Sequence, residues 1–153
     1  MFLSNEEKSY LNQTLVIANK SVANGNHPFG ALLVYEGKVI CTSENKVITT
    51  NDITAHAELL LIQMAQKVLN TKQLADSTLY SSTEPCPMCT CAIYWSSIKR
   101  VVFATKATRL LKIAGDGFEL SSTELIKLAP RDLNFIAEEN TVQFDKLHKE
   151  FWS

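Results

Sequence analysis

No run of this 153-residue chain is apolar for long enough to cross a bilayer, which takes about 20 residues. Its opening Met1-Phe2-Leu3 passes at once into Ser4-Asn5-Glu6-Glu7, without the basic n-region and apolar core of a secretion signal. A soluble, cytoplasmic protein is expected. Basic excess is missing too, since 15 Lys and Arg face 16 Asp and Glu for a net charge of −1. Phosphate backbones demand a stripe of Lys and Arg, so nucleic acid is disfavoured as a partner. Cysteine is scarce: four residues with no secretory signal read as thiols in a reducing compartment, not as disulfides. Neither an internal repeat nor a low-complexity segment is present, and the length suits one domain, 1–153, able to bury roughly two thirds of its extended surface.

What is present is a split pair of motifs, Thr54-Ala55-His56-Ala57-Glu58 and Glu84-Pro85-Cys86-Pro87-Met88-Cys89. One imidazole and two thiolates make a three-ligand zinc site, and a catalytic zinc keeps its fourth position open for water. Glu58 then reads as a proton carrier beside that water. A lone Cys-x-x-Cys is weak, because redox motifs and four-ligand structural zinc sites share it. Cys41 or Cys91 could supply a fourth ligand. Cys91, two residues past Cys89, is turned roughly 200° from it on a helix, and both cysteines are expected to be small buried apolar residues. The bland reading of Glu58 is a first-turn glutamate complementing a helix dipole; its place beside the histidine favours catalysis.

The surrounding pattern alternates helices and strands. Ser4-x-x-Glu7 is a capping box that opens a helix over about Asn5 to Ala23. Gly30 to Tyr35 and Lys38 to Ser43 are strand-like and joined at Glu36-Gly37 by a tight hairpin turn. Glu44 to Asp52 reads as a loop, and Thr54 as the cap of a helix from Ala55 to Leu69 that carries His56 and Glu58 in its first turn. Thr78 to Ser82 and Val101 to Ala104 are strands, with Pro87 starting a helix through Trp95 between them. Phe144, Leu147 and Phe151 at helical spacing predict an amphipathic C-terminal helix over Val142 to Trp152. Both motifs sit at helix N-termini, where the partial positive charge favours thiolate. Because two thiolates formally cancel the metal's charge, the bound water is less acidic than on an all-histidine zinc, and a nearby base is worth more.

The H-x-E…P-C-x-x-C pattern resembles the zinc-dependent cytidine and deoxycytidylate deaminase superfamily, and within it the bacterial-type guanine deaminases. The residues carrying that likeness are Asn26-His27-Pro28-Phe29-Gly30-Ala31, Asn45, Thr49 to Glu58, and Glu84 to Cys89 followed by Ala92-Ile93-Tyr94-Trp95. The resemblance implies a three-layer α/β/α domain with a mixed, largely parallel five-stranded sheet, a homodimer, and hydrolytic release of ammonia from a purine or related base. It implies that His56, Cys86 and Cys89 bind Zn2+, that Glu58 shuttles protons, that Phe29 and Trp95 border the base and that Asn45 hydrogen-bonds it. A flat heteroaromatic ring suits such partners, an aromatic face and an amide that both donates and accepts.

Past Thr105 the likeness weakens. Asp116 or Glu119 is expected to serve as a second acidic proton relay, and residues 141–153 as a terminal helix or lid. Its Phe151-Trp152 end either covers a base, in the chain's own site or swapped into a partner's, or docks on its own subunit. His27 is expected on a loop surface and His148 solvated. Three function classes follow. A small-molecule deaminase acts on guanine or on a related aminopurine, nucleoside, cytosine or aminotriazine. A wobble-adenosine deaminase of transfer RNA shares the signature but wants a basic tail, whereas this one opens Ile136-Ala137-Glu138-Glu139-Asn140. A zinc-stabilised binding module would lack Glu58 or gain a fourth ligand.

Overall fold

A computed structural model describes residues 2–153, with Met1 outside the described residues. The first helix, α1 (Asn5–Ala23), starts at Ser4, whose hydroxyl accepts from the Glu7 amide while the Glu7 carboxylate accepts from the Ser4 amide. Then come β1 (Gly30–Tyr35) and β2 (Lys38–Glu44). Positive φ at both Glu36 (49°) and Gly37 (72°) marks the turn between them as type I′, whose twist matches the strands it joins. Next are α2 (Val47–Thr50), α3 (Ala57–Ala65), α4 (Thr71–Ala75), β3 (Thr78–Thr83), α5 (Pro87–Ser96) and β4 (Arg100–Thr105). The chain ends with α6 (Ala107–Ala114), α7 (Ser122–Ile126), β5 (Asn134–Ala137) and α8 (Val142–Trp152).

The sheet order is β2-β1-β3-β4-β5. Pairings of β1 with β2 and β3 are antiparallel, and those of β4 with β3 and β5 are parallel. The sheet is therefore mixed, with half of its pairings parallel. Strand alternation divides the core in two. Leu33, Leu79, Val101 and Phe103 pack with Ala57, Leu61, Ile62 and Ile93 of α3 and α5. Their neighbours Leu32, Val34, Tyr80, Val102 and Ala104 pack with Leu11 of α1 and Phe144 of α8. That is the expected three-layer α/β/α arrangement. Gly30 is where α1 comes nearest the sheet: a Cβ there would lie 2.6 Å from the Thr14 carbonyl oxygen and 2.7 Å from the Ala18 nitrogen.

Several boundaries differ from expectation, for local reasons. Thr54 does not cap α3, because its amide and hydroxyl both donate to the Asp52 carboxylate. The helix begins at Ala57, with His56 extended in the cap position. It ends at Ala65, and Asn70 with Gln73 forms a capping box that opens α4. Inside the expected loop before Asp52, residues 47–50 close one helical turn that ends at left-handed Asn51.

Candidate active site

The antiparallel and parallel pairings bring one end of each inner element to the same edge of the sheet. Gly30 pairs with Glu44, and Thr83 with Thr105, so Phe29, Asn45 and the loop after Thr83 emerge together where α3 and α5 begin. His56 and Cys86 occupy equivalent positions: each is the extended N-cap residue of its helix, and neither side chain is spent on capping. Pro87 at the first position of α5 costs nothing, because its missing N–H would have had no helical partner. Cys89 follows one turn in, buried.

The result is a three-donor cluster of His56 Nδ1 and the Sγ atoms of Cys86 and Cys89. Nδ1 lies 3.6 Å from the Cys86 sulfur and 3.5 Å from the Cys89 sulfur. Zinc bonds to nitrogen and to sulfur at tetrahedral angles put such donors about 3.6 Å apart, so the spacing and the donor chemistry both fit a zinc ion. Glu58, 5% exposed, stands beside the cluster and accepts from Ser81 Oγ at 2.9 Å. Burial first, and then the Cys86 thiolate, push its carboxyl above the ordinary carboxylate range. The Cys86 thiol is brought down to about 4, chiefly by the hydrogen bond from Cys89 and also by that from His56. Cys89, as donor in that bond and buried, is pushed up. His56 is raised by its bond to Cys86, against its burial.

Residues 4–105 match the family described as the cytidine and deoxycytidylate deaminase zinc-binding region. The chain belongs to this deaminase family. The guanine deaminase of Bacillus subtilis (strain 168) is 40% identical to it over 138 residues, 90% of this chain and 83% of that one. The tRNA-specific adenosine deaminase of Buchnera aphidicola subsp. Schizaphis graminum is 39% identical over 109 residues, 71% of this chain and 72% of its own. A solved structure of the guanine deaminase from Nitrosomonas europaea covers 99% of this chain and 86% of its own length with a TM-score of 0.83 at 23% identity, a likeness of fold.

Other residues of this deaminase-family chain fall less evenly. Asn45 is 2% exposed, and its side-chain oxygen accepts from the Val47 amide. Phe29 is half-buried, with its ring 5.4 Å from that of His148. Trp152 is also half-buried and rests on His27. Trp95 is not brought to the cluster: it is 80% exposed and borders a groove of about 340 Å³ with Thr90, Leu125 and Leu133. Asp116 and Glu119 are exposed between α6 and α7, outside the cluster. Cys91 is exposed, not buried, because its turn of α5 faces away from the sheet, whereas Cys41 packs half-buried against the core. Neither joins the donor set. His27 is not free on a loop surface but half-covered by Phe151 and Trp152.

The largest correction concerns His148, expected in solvent and found 1% exposed. It lies one turn after Phe144 on the same apolar face of α8, and that spacing was its sequence signal. Glu84 is likewise structural. Its carboxylate accepts from the amides of Ala107 and Ser122 and from the Ser122 hydroxyl, organising the starts of α6 and α7. Ser81 and Thr83 carried no sequence signal, since only strand pairing gives them partners.

Proposed function

We propose that the chain is a zinc-dependent aminohydrolase that converts guanine and water to xanthine and ammonia. The observation that carries this reading is the cluster of three donors at zinc spacing with one buried carboxyl, its proton affinity raised by burial, beside it, in a chain 40% identical to a guanine deaminase over nine tenths of its length. His56, Cys86 and Cys89 hold the metal. Bound zinc supplies a Lewis acid that acidifies water at neutral pH. Glu58 takes one proton from the attacking water and passes it to a ring nitrogen, then carries the second, from the hydroxyl now on the ring carbon, to the amine as its C–N bond breaks and the carbonyl forms. Ser81 keeps the carboxylate aimed. Asn45 has its oxygen committed to Val47, which leaves its amide hydrogens for the base, and Phe29 and Trp152 supply aromatic faces. Trp95, Asp116 and Glu119, all exposed and outside the donor cluster, are left out of this reading of the site.

A transfer RNA substrate is the second reading, supported by the 39% identity to a tRNA-specific enzyme over about 70% of each chain. Net charge of −1 disfavours it, and so does a tail that opens with the acidic Ile136-Ala137-Glu138-Glu139-Asn140 instead of a basic run. A homodimer and a cytoplasmic location belong to the same proposal; no described helix is long and apolar enough to cross a membrane. The deciding experiment is ammonia release from guanine, guanosine, adenine, adenosine, cytosine, cytidine, ammeline and a transfer RNA, using one zinc-loaded preparation. Turnover of guanine above the others is expected; preference for the transfer RNA overturns the reading.

A further inference from the structure

Two buried side chains on one face of α8 each meet a threonine at the end of a sheet strand. Asp145 accepts from Thr105 Oγ1 at 2.8 Å, and His148 Nε2 lies 2.7 Å from Thr83 Oγ1. Thr83 and Thr105 are direct partners across the parallel β3–β4 ladder, while residues three apart on a helix share a face. The two bonds therefore fix both the position and the rotation of α8. Asp145 is held further by Arg109 Nε and Thr141 Oγ1.

The second nitrogen of His148 is engaged as well. Nδ1 lies 3.2 Å from Trp152 Nε1, and an indole N–H can only donate. Nδ1 is thus the lone-pair nitrogen, Nε2 carries the hydrogen, and Thr83 accepts it. Beyond that bond the Trp152 ring lies 5.4 Å from His27 at an interplanar angle of 30°, with Phe151 edge-on to the same imidazole at 5.8 Å. His27 lies on the loop that leads to the metal ligand His56: its carbonyl accepts from the Phe29 amide, the Phe29 carbonyl accepts from the Asn45 amide, and Lys46, next in the chain, donates to the carbonyl of Ala55 beside His56. A continuous path of contacts therefore runs from Thr83, three residues before Cys86, through His148 and Trp152 to His27, on the loop hydrogen-bonded next to His56. β5 pairs with β4 and only residues 138–141 separate it from α8, so the helix starts within about 14 Å of that strand.

We propose that His148 is a positioning residue for deamination: through Nδ1 it sets the Trp152 indole over the His27 side of the metal cluster, and through Nε2 it registers that ring to the strand leading into Cys86. The proposal rests on the reading of the site as a guanine deaminase. With both nitrogens committed and the ring buried, His148 is not a catalytic group itself. It determines where the aromatic cover lies.

Histidine's two nitrogens can be tested apart. Asn places an acceptor near the Nδ1 position and Gln a donor near the Nε2 position, so H148N keeps the partner of Trp152 and H148Q keeps that of Thr83. The variants are made beside W95F, which leaves Trp152 as the one tryptophan of the two in the chain. In zinc-loaded protein, H148Q is expected to raise quenching of Trp152 fluorescence by acrylamide and to raise KM for guanine about fivefold, the worth of one lost hydrogen bond. H148N should stay within about twofold of the parent in both. In the native Trp95 chain, W152F should match H148Q in KM, and the two together should do no more than either alone. Equal quenching and equal KM in H148Q and H148N, with only melting temperatures lowered, overturn the proposal. If H148Q fails to fold, W152F alone decides, unchanged KM being the overturning result. If the parent does not turn over guanine, the functional reading fails, and quenching alone decides: a difference between H148Q and H148N supports the placement, equality overturns it.

Discussion

At the scale of single residues, Glu58 is a buried carboxyl that accepts from a serine hydroxyl and forms no ion pair with Lys or Arg among the described residues. A glutamate serving only the α3 dipole would sit in solvent. In Glu58→Gln the amide oxygen can still accept from Ser81, so zinc content and melting temperature should hold while turnover falls at least about a hundredfold, the usual scale of a general acid–base group. Near-parental turnover with full zinc would remove Glu58 from the mechanism. Cys86→Ala and Cys89→Ala differ in kind, because two protein donors hold zinc poorly. Metal analysis should find little zinc in either, and full occupancy would point to another ligand set. These residues were legible in the sequence because metal chemistry restricts both residue type and spacing. Ser81 and Thr83 were not, since each matters through a partner that the fold supplies from 23 or 65 positions away, and the spacing that marks His148 as buried does not name that partner. Trp95 shows the converse: neighbours in sequence pointed to a base, and helix rotation turned the ring to the surface.

Among the elements, strands were read nearly to the residue, since apolar runs closed by Asn and Gly leave few alternatives. β5 carried no such signal. Asn134-Phe135-Ile136-Ala137 has four residues, only Ile136 of them buried, and forms by pairing with β4. Helix α3 was read too long because its stop is Asn70 capping the next helix, with neither Gly nor Pro to announce it. Gly30 offers a test of how tightly α1 and β1 are joined. A methyl there would meet α1 backbone at under 3 Å, which side-chain rotation cannot relieve. Gly30→Ala should lose about 3 kcal/mol or more in denaturant unfolding. Gly37→Ala, at φ 72° with open space around it, should lose only about 1–2 kcal/mol of conformational cost. Equal losses would mean that α1 shifts to accommodate the methyl and that the close approach is not a structural requirement.

For the whole molecule, the buried histidine couples tail docking to pH. His148 is held down to about 4, chiefly by burial, with Asp145 pulling weakly the other way; in the unfolded chain it titrates near the ordinary 6.5. Phe29 and Trp152 around it are uncharged, and Thr83 is satisfied by the neutral ring's hydrogen. Because the folded state disfavours the proton, the unfolded state binds more of it between these values, and stability rises with pH across that window. The contribution is complete above pH 6.5 and drains away as pH falls toward 4. A difference of this size amounts to about 3 kcal/mol. Carboxylates such as Glu7, lowered by its bonds to Ser4 and Arg100 against its own burial, add an acid loss of their own, but it is centred at lower pH and is common to any variant. Urea unfolding from pH 7 to pH 4 should therefore show the native protein losing stability from pH 6.5 downward. His148→Gln should start lower and run flatter until about pH 5. Parallel curves for the two proteins would show that His148 takes up its proton without leaving the fold, and that the contact of Trp152 with His27 survives acid.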